Sequence, residues 1–274
     1  KTTRVTAMDY KTSSKIMTKN LLDEVRDYWN SRPCNLRHSQ SPIGTKEYFD
    51  EVEARRYTNE PHNYTFPEFN KWRGKKVLEI GCGIGTDAIN FVRHGANYTG
   101  IDLSSESVRI AKKRFEVFGL KGELFEANAE DLEFIFDPSE KFDLIYSFGV
   151  IHHAPRPERI VHSLPKMLNH GGEVRVMLYA KNSWKNIMIN AGLDQPEAQT
   201  GCPQALTYTK EEIRELFYQF PYIHIEQDFI FPWVVENYIK YEYVKQPWFE
   251  AMPNNMFRVL EKSLGWHMLI TAKM

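Results

Sequence analysis

The chain has 274 residues, 42% hydrophobic and 26% charged, the makeup of one large globular domain or two small ones. Its 35 basic and 36 acidic side chains leave a formal net charge of −1, which argues against broad binding of a nucleic-acid backbone. Cys34, Cys82 and Cys202 are too few for a disulfide framework and lack metal-ligand spacing.

No apolar run reaches membrane-spanning length, and the opening KTTRVTAMDYKTSSK has no signal-peptide hydrophobic region. The expectation is a cytoplasmic protein, monomer or homodimer, with no nucleic-acid partner, no membrane partner and no bound metal.

In chain order, residues 1–17 are polar and read as loose. Residues 18–30 carry Leu21, Leu22, Val25, Tyr28 and Trp29 at helical spacing, and Pro33 stops the helix. A second helical pattern covers roughly 46–58. KKVLEIGCG then reads as a buried strand running into a glycine turn. TDAINFVRHG is a helix, NYTGIDL a strand, SESVRIAKKRFEVFGL a helix, KGELFEAN and KFDLIYSFG strands. ERIVHSLPKMLNHGG reads as a helix with a glycine stop and a kink at Pro165. GEVRVMLYA is a fifth strand, and TKEEIRELFYQF a helix with Thr209 and Glu212 as a capping box. YIHIEQDFIF and GWHMLITAKM are the sixth and seventh strands. Strands alternating with helices of this length mean a mostly parallel sheet covered on both faces. Two longer connections, near 181–208 and 231–264, interrupt the plan. The second is rich in aromatic rings and reads as a helical lid, with one or two rings facing a ligand.

VLEIGCGIGTD has Gly81, Gly83 and Gly85 between a strand and a helix. Such a turn lets backbone approach a ligand, and the helix start offers unpaired N–H donors. Asp102 ends the next strand, ANAEDL at 127–132 ends the third, and YSFGVIHHAP at 146–155 ends the fourth. With Glu79 in the strand before the turn, these four motifs resemble the class I methyltransferases that use S-adenosylmethionine, closely over about residues 74–180. The resemblance implies a seven-stranded, mostly parallel α/β sheet of the Rossmann-like methyltransferase fold, the seventh strand antiparallel between fifth and sixth. It implies an N-terminal helical cap over residues 1–70, a methyltransferase domain over 71–274, and a small-molecule methyl acceptor.

By the same resemblance, Gly81, Gly83 and Gly85 form the cofactor turn, and Glu79 orients it or approaches the cofactor's amino group. Asp102 accepts both ribose hydroxyls, Leu103 packs on the adenine, and Asn128 and Ala129 read that base. Ser147 and Phe148 pass under the methionine part. Many relatives carry Asp at the Asn128 position; an Asn side-chain oxygen still accepts from an amine.

His152 and His153 follow on the loop facing the transferred methyl. Either one is a candidate base or substrate hydrogen-bonder, since His moves protons near neutral pH. In the front piece Tyr28 and Arg32 cluster at a helix end, and Arg56 lies on the next helix. Arg32 or Arg56 is the candidate clamp for a carboxylate or phosphate; the alternative is surface pairing of Arg55 or Arg56 with Glu51 or Glu53. Methyl transfer to oxygen, nitrogen or carbon is the leading reading. A nicotinamide oxidoreductase lacks support at the third glycine position, where Thr86 stands. A cofactor-binding relative without catalysis is the third class.

Overall fold

The computed structural model describes residues 20–192 and 201–274. The segment expected to be loose at 1–17, the first two positions of the helix expected at 18–30, and residues 193–200 of the first long connection lie outside the described residues.

The helices are α1 (residues 20–31), α2 (Lys46–Asn59), α3 (His62–Thr65), α4 (Thr86–Arg93), α5 (Ser105–Val117), α6 (Leu132–Ile135), α7 (Pro157–Met167), α8 (Trp184–Asn190), α9 (Lys210–Leu216), α10 (Val235–Tyr238), α11 (Pro247–Glu250) and α12 (Asn254–Leu264). The strands are β1 (Lys76–Ile80), β2 (Asn97–Asp102), β3 (Glu123–Glu126), β4 (Phe142–Phe148), β5 (Leu168–Ala180), β6 (Thr207–Tyr208), β7 (Tyr222–Asp228) and β8 (His267–Lys273).

The sheet runs β3-β2-β1-β4-β5-β8-β7. β1 to β5 pair in parallel, and β8 lies antiparallel between β5 and β7, as the family resemblance implied. The sheet has eight strands rather than seven. β4 stops opposite Met177, so the last residues of β5 lack a neighbour on that edge; Thr207 and Tyr208 pair there with Tyr179 and Ala180.

One further boundary differs. The helix read through Gly172 ends at Met167, two residues past Pro165, and Leu168 already begins β5. Proline removes a backbone donor and crowds the preceding turn, so the last turn does not propagate. The capping box at Thr209 and Glu212 is present, each side chain meeting the other residue's backbone N–H.

The sheet buries both faces. Leu78, Ile145, Val176 and Ile270 pack with Ile160 and Leu164 of α7 and Phe217 after α9. On the other face Val77, Leu144 and Tyr146 pack with Ile89 and Phe91 of α4 and Phe115 of α5. A third cluster joins Met177 and Leu269 to Phe231 and Tyr238 of the aromatic connection.

Helix α2 is fastened to the glycine turn and to α5. Tyr48, Phe49 and Val52 of α2 are fully buried against Ile84 and Ile110. Each such side chain stabilises the contact by about 1.5–3 kcal/mol. Buried Arg114 donates to the carbonyls of Phe49 (2.7 Å) and Ile84 (3.2 Å), tying α2 to the glycine turn. Among the described residues no helix is long and apolar enough to cross a membrane.

Candidate active site

The carboxyl ends of β1, β2, β4 and β5 open into a cavity of about 580 Å³, roofed by α1, α2, the segment between them and α10. Ligands of open α/β sheets bind at this edge.

The turn after β1 forms one wall. Gly81 takes φ +76° and its N–H donates to the Ile101 carbonyl at 2.7 Å. A Cβ at Gly81 would lie 2.1 Å from Val150 Cγ2, so only glycine fits. A Cβ at Gly83 would meet no atom within 4 Å, so that position borders open cavity. Asp102 holds this turn from the end of β2. Its Oδ2 accepts from the Gly83 N–H and its Oδ1 from the Ser104 N–H, both at 2.8 Å. Burial raises its carboxyl above the ordinary range, and those two donors partly oppose the rise. The cap of α5 is Ser104, which accepts from the Ser107 N–H, so Asp102 is not needed for that job.

Glu79 lines the cavity from β1 and accepts from the Tyr98 hydroxyl at 2.6 Å. Burial, then the nearby Asp87, pushes its carboxyl well up. Leu103, Asn128 and Ala129 also line the cavity. The Asn128 amide is engaged in its own turn, accepting from the Glu130 N–H and donating to Asp131. Glu130 is buried and paired with Arg156 at 2.6 Å.

The two histidines separate. His153 lines the cavity with the indole of Trp29 edge-on at 5.1 Å. Its Nδ1 donates to the Gln204 carbonyl at 2.6 Å, an atom that can only accept. This fixes the neutral tautomer with a bare Nε2, and Nε2 has no hydrogen-bond partner. Burial lowers the ring's pKa to about 4. His152 is fully buried, 3.7 Å from the Tyr179 ring centroid, and is not part of the cavity wall. Burial, then His153 and His267, pushes its pKa well down.

Arg56 lines the cavity, but its fork is taken. Nε and Nη2 meet the two carboxylate oxygens of buried Asp87 at 3.2 and 2.8 Å. Tyr57 and Tyr146 donate to the same carboxylate at 2.8 and 3.0 Å. Burial works against the charged guanidinium, and Asp87, Tyr146, Glu60 and Tyr57 together more than offset it. The surface pairing considered for Arg55 and Arg56 does not form: Glu53 pairs with Arg93 and Glu51 accepts from Ser39. Arg32 lines the cavity, with its guanidinium 5.8 Å from the Tyr28 ring. Phe148 lies under Arg56 at 5.2 Å.

Of the residues singled out from sequence, the fold gathers Glu79, Gly81, Gly83, Asp102, Leu103, Asn128, Ala129, Phe148, His153, Arg32 and Arg56 around one cavity. Tyr28, Gly85, Ser147 and His152 are not on its wall. Gly85 faces Ala111, where a Cβ would stand 3.2 Å from the Ala111 Cβ, and Ser147 is fully buried. Of the rings in the aromatic connection at 231–264, Tyr238 reaches the cavity.

A group that sequence spacing did not announce reaches the cavity through Glu60 and His267. Glu60, His62 and His267 bring one ligand-type atom each within 4.8 Å of one another. His62 Nε2 and His267 Nδ1 are 2.7 Å apart and share a hydrogen bond. Burial lowers both rings' pKa, His62 to about 4.

Residues 77–172 match a family model described as a methyltransferase domain. The ubiquinone biosynthesis O-methyltransferase of Salmonella enteritidis PT4 is 31% identical over 120 residues, 43% of this chain and 49% of that protein. The chain thus spans about half the length of the curated relatives it matches. Among solved structures, magnesium protoporphyrin IX methyltransferase from Synechocystis PCC 6803, with bound SAH, superposes at TM-score 0.56. It is 14% identical, covering 91% of this chain and 98% of that one. The YcgJ protein from Bacillus subtilis superposes at TM-score 0.56 with 17% identity, over 77% of this chain and 99% of that one. At these identities the structural likeness is one of fold.

Proposed function

We propose that this chain, whose residues 77–172 match a methyltransferase-domain family model, moves the methyl group of S-adenosylmethionine to an oxygen, nitrogen or carbon atom of a small metabolite. The observation that carries this reading is one cavity lined both by the Asp102-tethered glycine turn and by His153 with the cap residues Trp29 and Arg32. Residues up to about 70 act as the cap over a domain at 71–274.

The residues present fit the cofactor. Gly83 borders open space where any side chain would intrude, and the Asp102 oxygens keep lone pairs beyond those used by Gly83 and Ser104. Asp102 would accept the two ribose hydroxyls, with Leu103 and Ala129 beside the base. Bound there, the cofactor would supply an electrophilic methyl on a sulfonium, with the sulfur as leaving group. The acceptor's proton, where it has one to lose, passes to the bare Nε2 of His153. Trp29 and the cap exclude water and align the reactants, which supplies most of the rate. We place the reaction in the cytoplasm, in a monomer or homodimer without nucleic acid.

The test is calorimetric titration with S-adenosylmethionine, its demethylated product and NAD. The first two should bind and NAD should not. Asp102→Asn should weaken binding by about 1.5–3 kcal/mol for each ribose contact impaired, before compensation by water. His153→Gln should leave cofactor affinity near normal and lower methyl transfer by ~10²–10⁴-fold. Tight NAD binding with no response to S-adenosylmethionine overturns the reading.

A further inference from the structure

Arg55 is 6% exposed, and two of its guanidinium nitrogens, Nε and Nη1, have no hydrogen-bond partner. Its Nη2 donates to the Tyr238 carbonyl at 2.8 Å. Aromatic faces hold the guanidinium in place, with ring centroids of Tyr238 and Tyr241 at 4.4 and 4.2 Å. No carboxylate among the described residues forms an ion pair with it. The contrast with its neighbours is informative. Arg56 is neutralised by Asp87, and Arg93 by Glu53. Arg114, also buried and without an ion pair among the described residues, satisfies Nη1 and Nη2 on two carbonyls and the Thr86 hydroxyl and leaves only Nε without a partner. A buried guanidinium with open donors and no counter-ion is costly, and an anion relieves both deficits at once.

The surroundings offer further unpartnered polar groups, beside one carboxylate, Glu60. Arg55 borders a recess of about 10 Å³, room for one water-sized group. His38 and Asn59 border it too. His38 Nδ1 and both polar atoms of the Asn59 amide lack partners. Arg55 and Asn59 stand four apart on α2 and so share a helix face. The recess and the main cavity share Asn35, His38, Arg55, Arg56, Glu60 and Tyr238, so it opens from the cavity wall. A water in the recess would take hydrogen bonds and leave the charge uncompensated; an anionic oxygen attached to a larger molecule in the cavity answers both.

We propose that Arg55, His38 and Asn59 form an acid-recognition subsite that holds a carboxylate or phosphate group of the methyl acceptor, making the acceptor an organic acid or phosphoester. This rests on the methyl-transfer reading for its substrate, but the subsite itself is testable without turnover. The sequence had suggested Arg32 or Arg56 for an acid; the fold engages Arg56 elsewhere and leaves Arg55 open. Arg55 is a binding residue here, remote in role from the proton transfer at His153.

The experiment titrates acetate and inorganic phosphate, with acetamide as neutral control, into the protein in low-salt buffer, alone and saturated with S-adenosylhomocysteine. One of the two anions should bind to the wild type in both states and acetamide should not; whichever binds tighter names the acid. Arg55→Gln should weaken that anion by about 10- to 100-fold, the worth of a charge-assisted hydrogen bond. Asn59→Asp places a carboxylate beside Arg55. It should abolish anion binding while raising or preserving the melting temperature, which keeps the test open if Arg55→Gln fails to fold. S-adenosylhomocysteine affinity should stay within about twofold in both variants. The proposal is overturned if anion affinity is unchanged in the variants. It is also overturned if S-adenosylhomocysteine affinity falls alongside it, for then the site holds the cofactor's own carboxylate. Neither result touches the assignment of methyl transfer, which the cofactor titration tests separately.

Discussion

Arg56 of the cap and Asp87 of the first helix after the glycine turn form a two-pronged ion pair, 31 residues apart in sequence, at 2.8 and 3.2 Å. Both side chains are largely withdrawn from solvent, so the pair fastens the roof of the cavity to its floor and behaves unlike a surface pair. Arg56→Met leaves the Asp87 carboxylate buried with only Tyr57 and Tyr146 as donors. It should cost about 3–5 kcal/mol, and Arg56→Met with Asp87→Asn should recover much of that. Urea unfolding of the two single variants and the double variant measures the coupling. Losses below about 1 kcal/mol in both single variants would show that the pair does not hold the cap.

Gly81→Ala should destabilise the fold by about 1–3 kcal/mol, because the new Cβ meets Val150 and the backbone sits at φ +76°. Val150→Ala removes the two nearest atoms but leaves its own Cβ at 2.8 Å, so the double variant should recover part of the loss. Strict additivity of the two substitutions would mean that the β1 turn and the β4 loop do not press on each other as described.

Acid should weaken this protein earlier than carboxylates alone would. His62 and His153 have folded pKa values near 4 and His38 near 3, all lowered by burial from 6.5. His152 and His267 are also lowered. Between these values and 6.5 the unfolded chain binds more protons, so stability falls as pH drops through that window. Each ring contributes up to about 1.4 kcal/mol per pH unit there. Glu79 acts in the opposite sense: its raised carboxyl favours the folded state at low pH, and that contribution fades as pH rises through its folded pKa. Glu173 belongs to a lower window. Burial alone would raise it, yet Lys71, Lys273 and Arg175 hold it at about 2, so its contribution is lost from pH 4.5 downward. Urea midpoints at pH 7.5, 6.5, 5.5 and 4.5 should fall steadily, with a shallower fall in His62→Gln. A flat profile from 7.5 to 5.5 would refute the linkage.

What the sequence made legible was local. β1, the glycine turn and α4 occupy one continuous stretch, and so do β2 with Asp102 and β4 with its histidine loop, so strand pattern and turn chemistry announce them. Strands buried on both faces read as apolar runs whatever their neighbours do. The helix ahead of β5 overran because the glycine pair after Asn169 imitates a helix stop, when Pro165 had already ended the helix. The pairings that decide the roof are long-range. Arg56 with Asp87 spans 31 positions, Arg55 with Tyr238 spans 183, and His62 with His267 spans 205. No periodicity encodes such a meeting. His152 and His153 show the same limit at close range: adjacent residues leave a short 3₁₀ turn in different directions, and only the fold says which one reaches the cavity.

The antiparallel placement of β8 sets an order on synthesis. As the chain leaves a ribosome, β1 to β5 can pair among themselves while later residues are still being added. β7 emerges with no neighbour, and the far edge of β5 stays open, until residues 267–273 arrive to fill the gap between them. His267, which lines the cavity, is delivered by that same strand. A nascent chain halted near residue 260 would therefore display two unpaired strand edges and an unfinished cavity, a form suited to chaperone capture or aggregation and unable to hold a ligand.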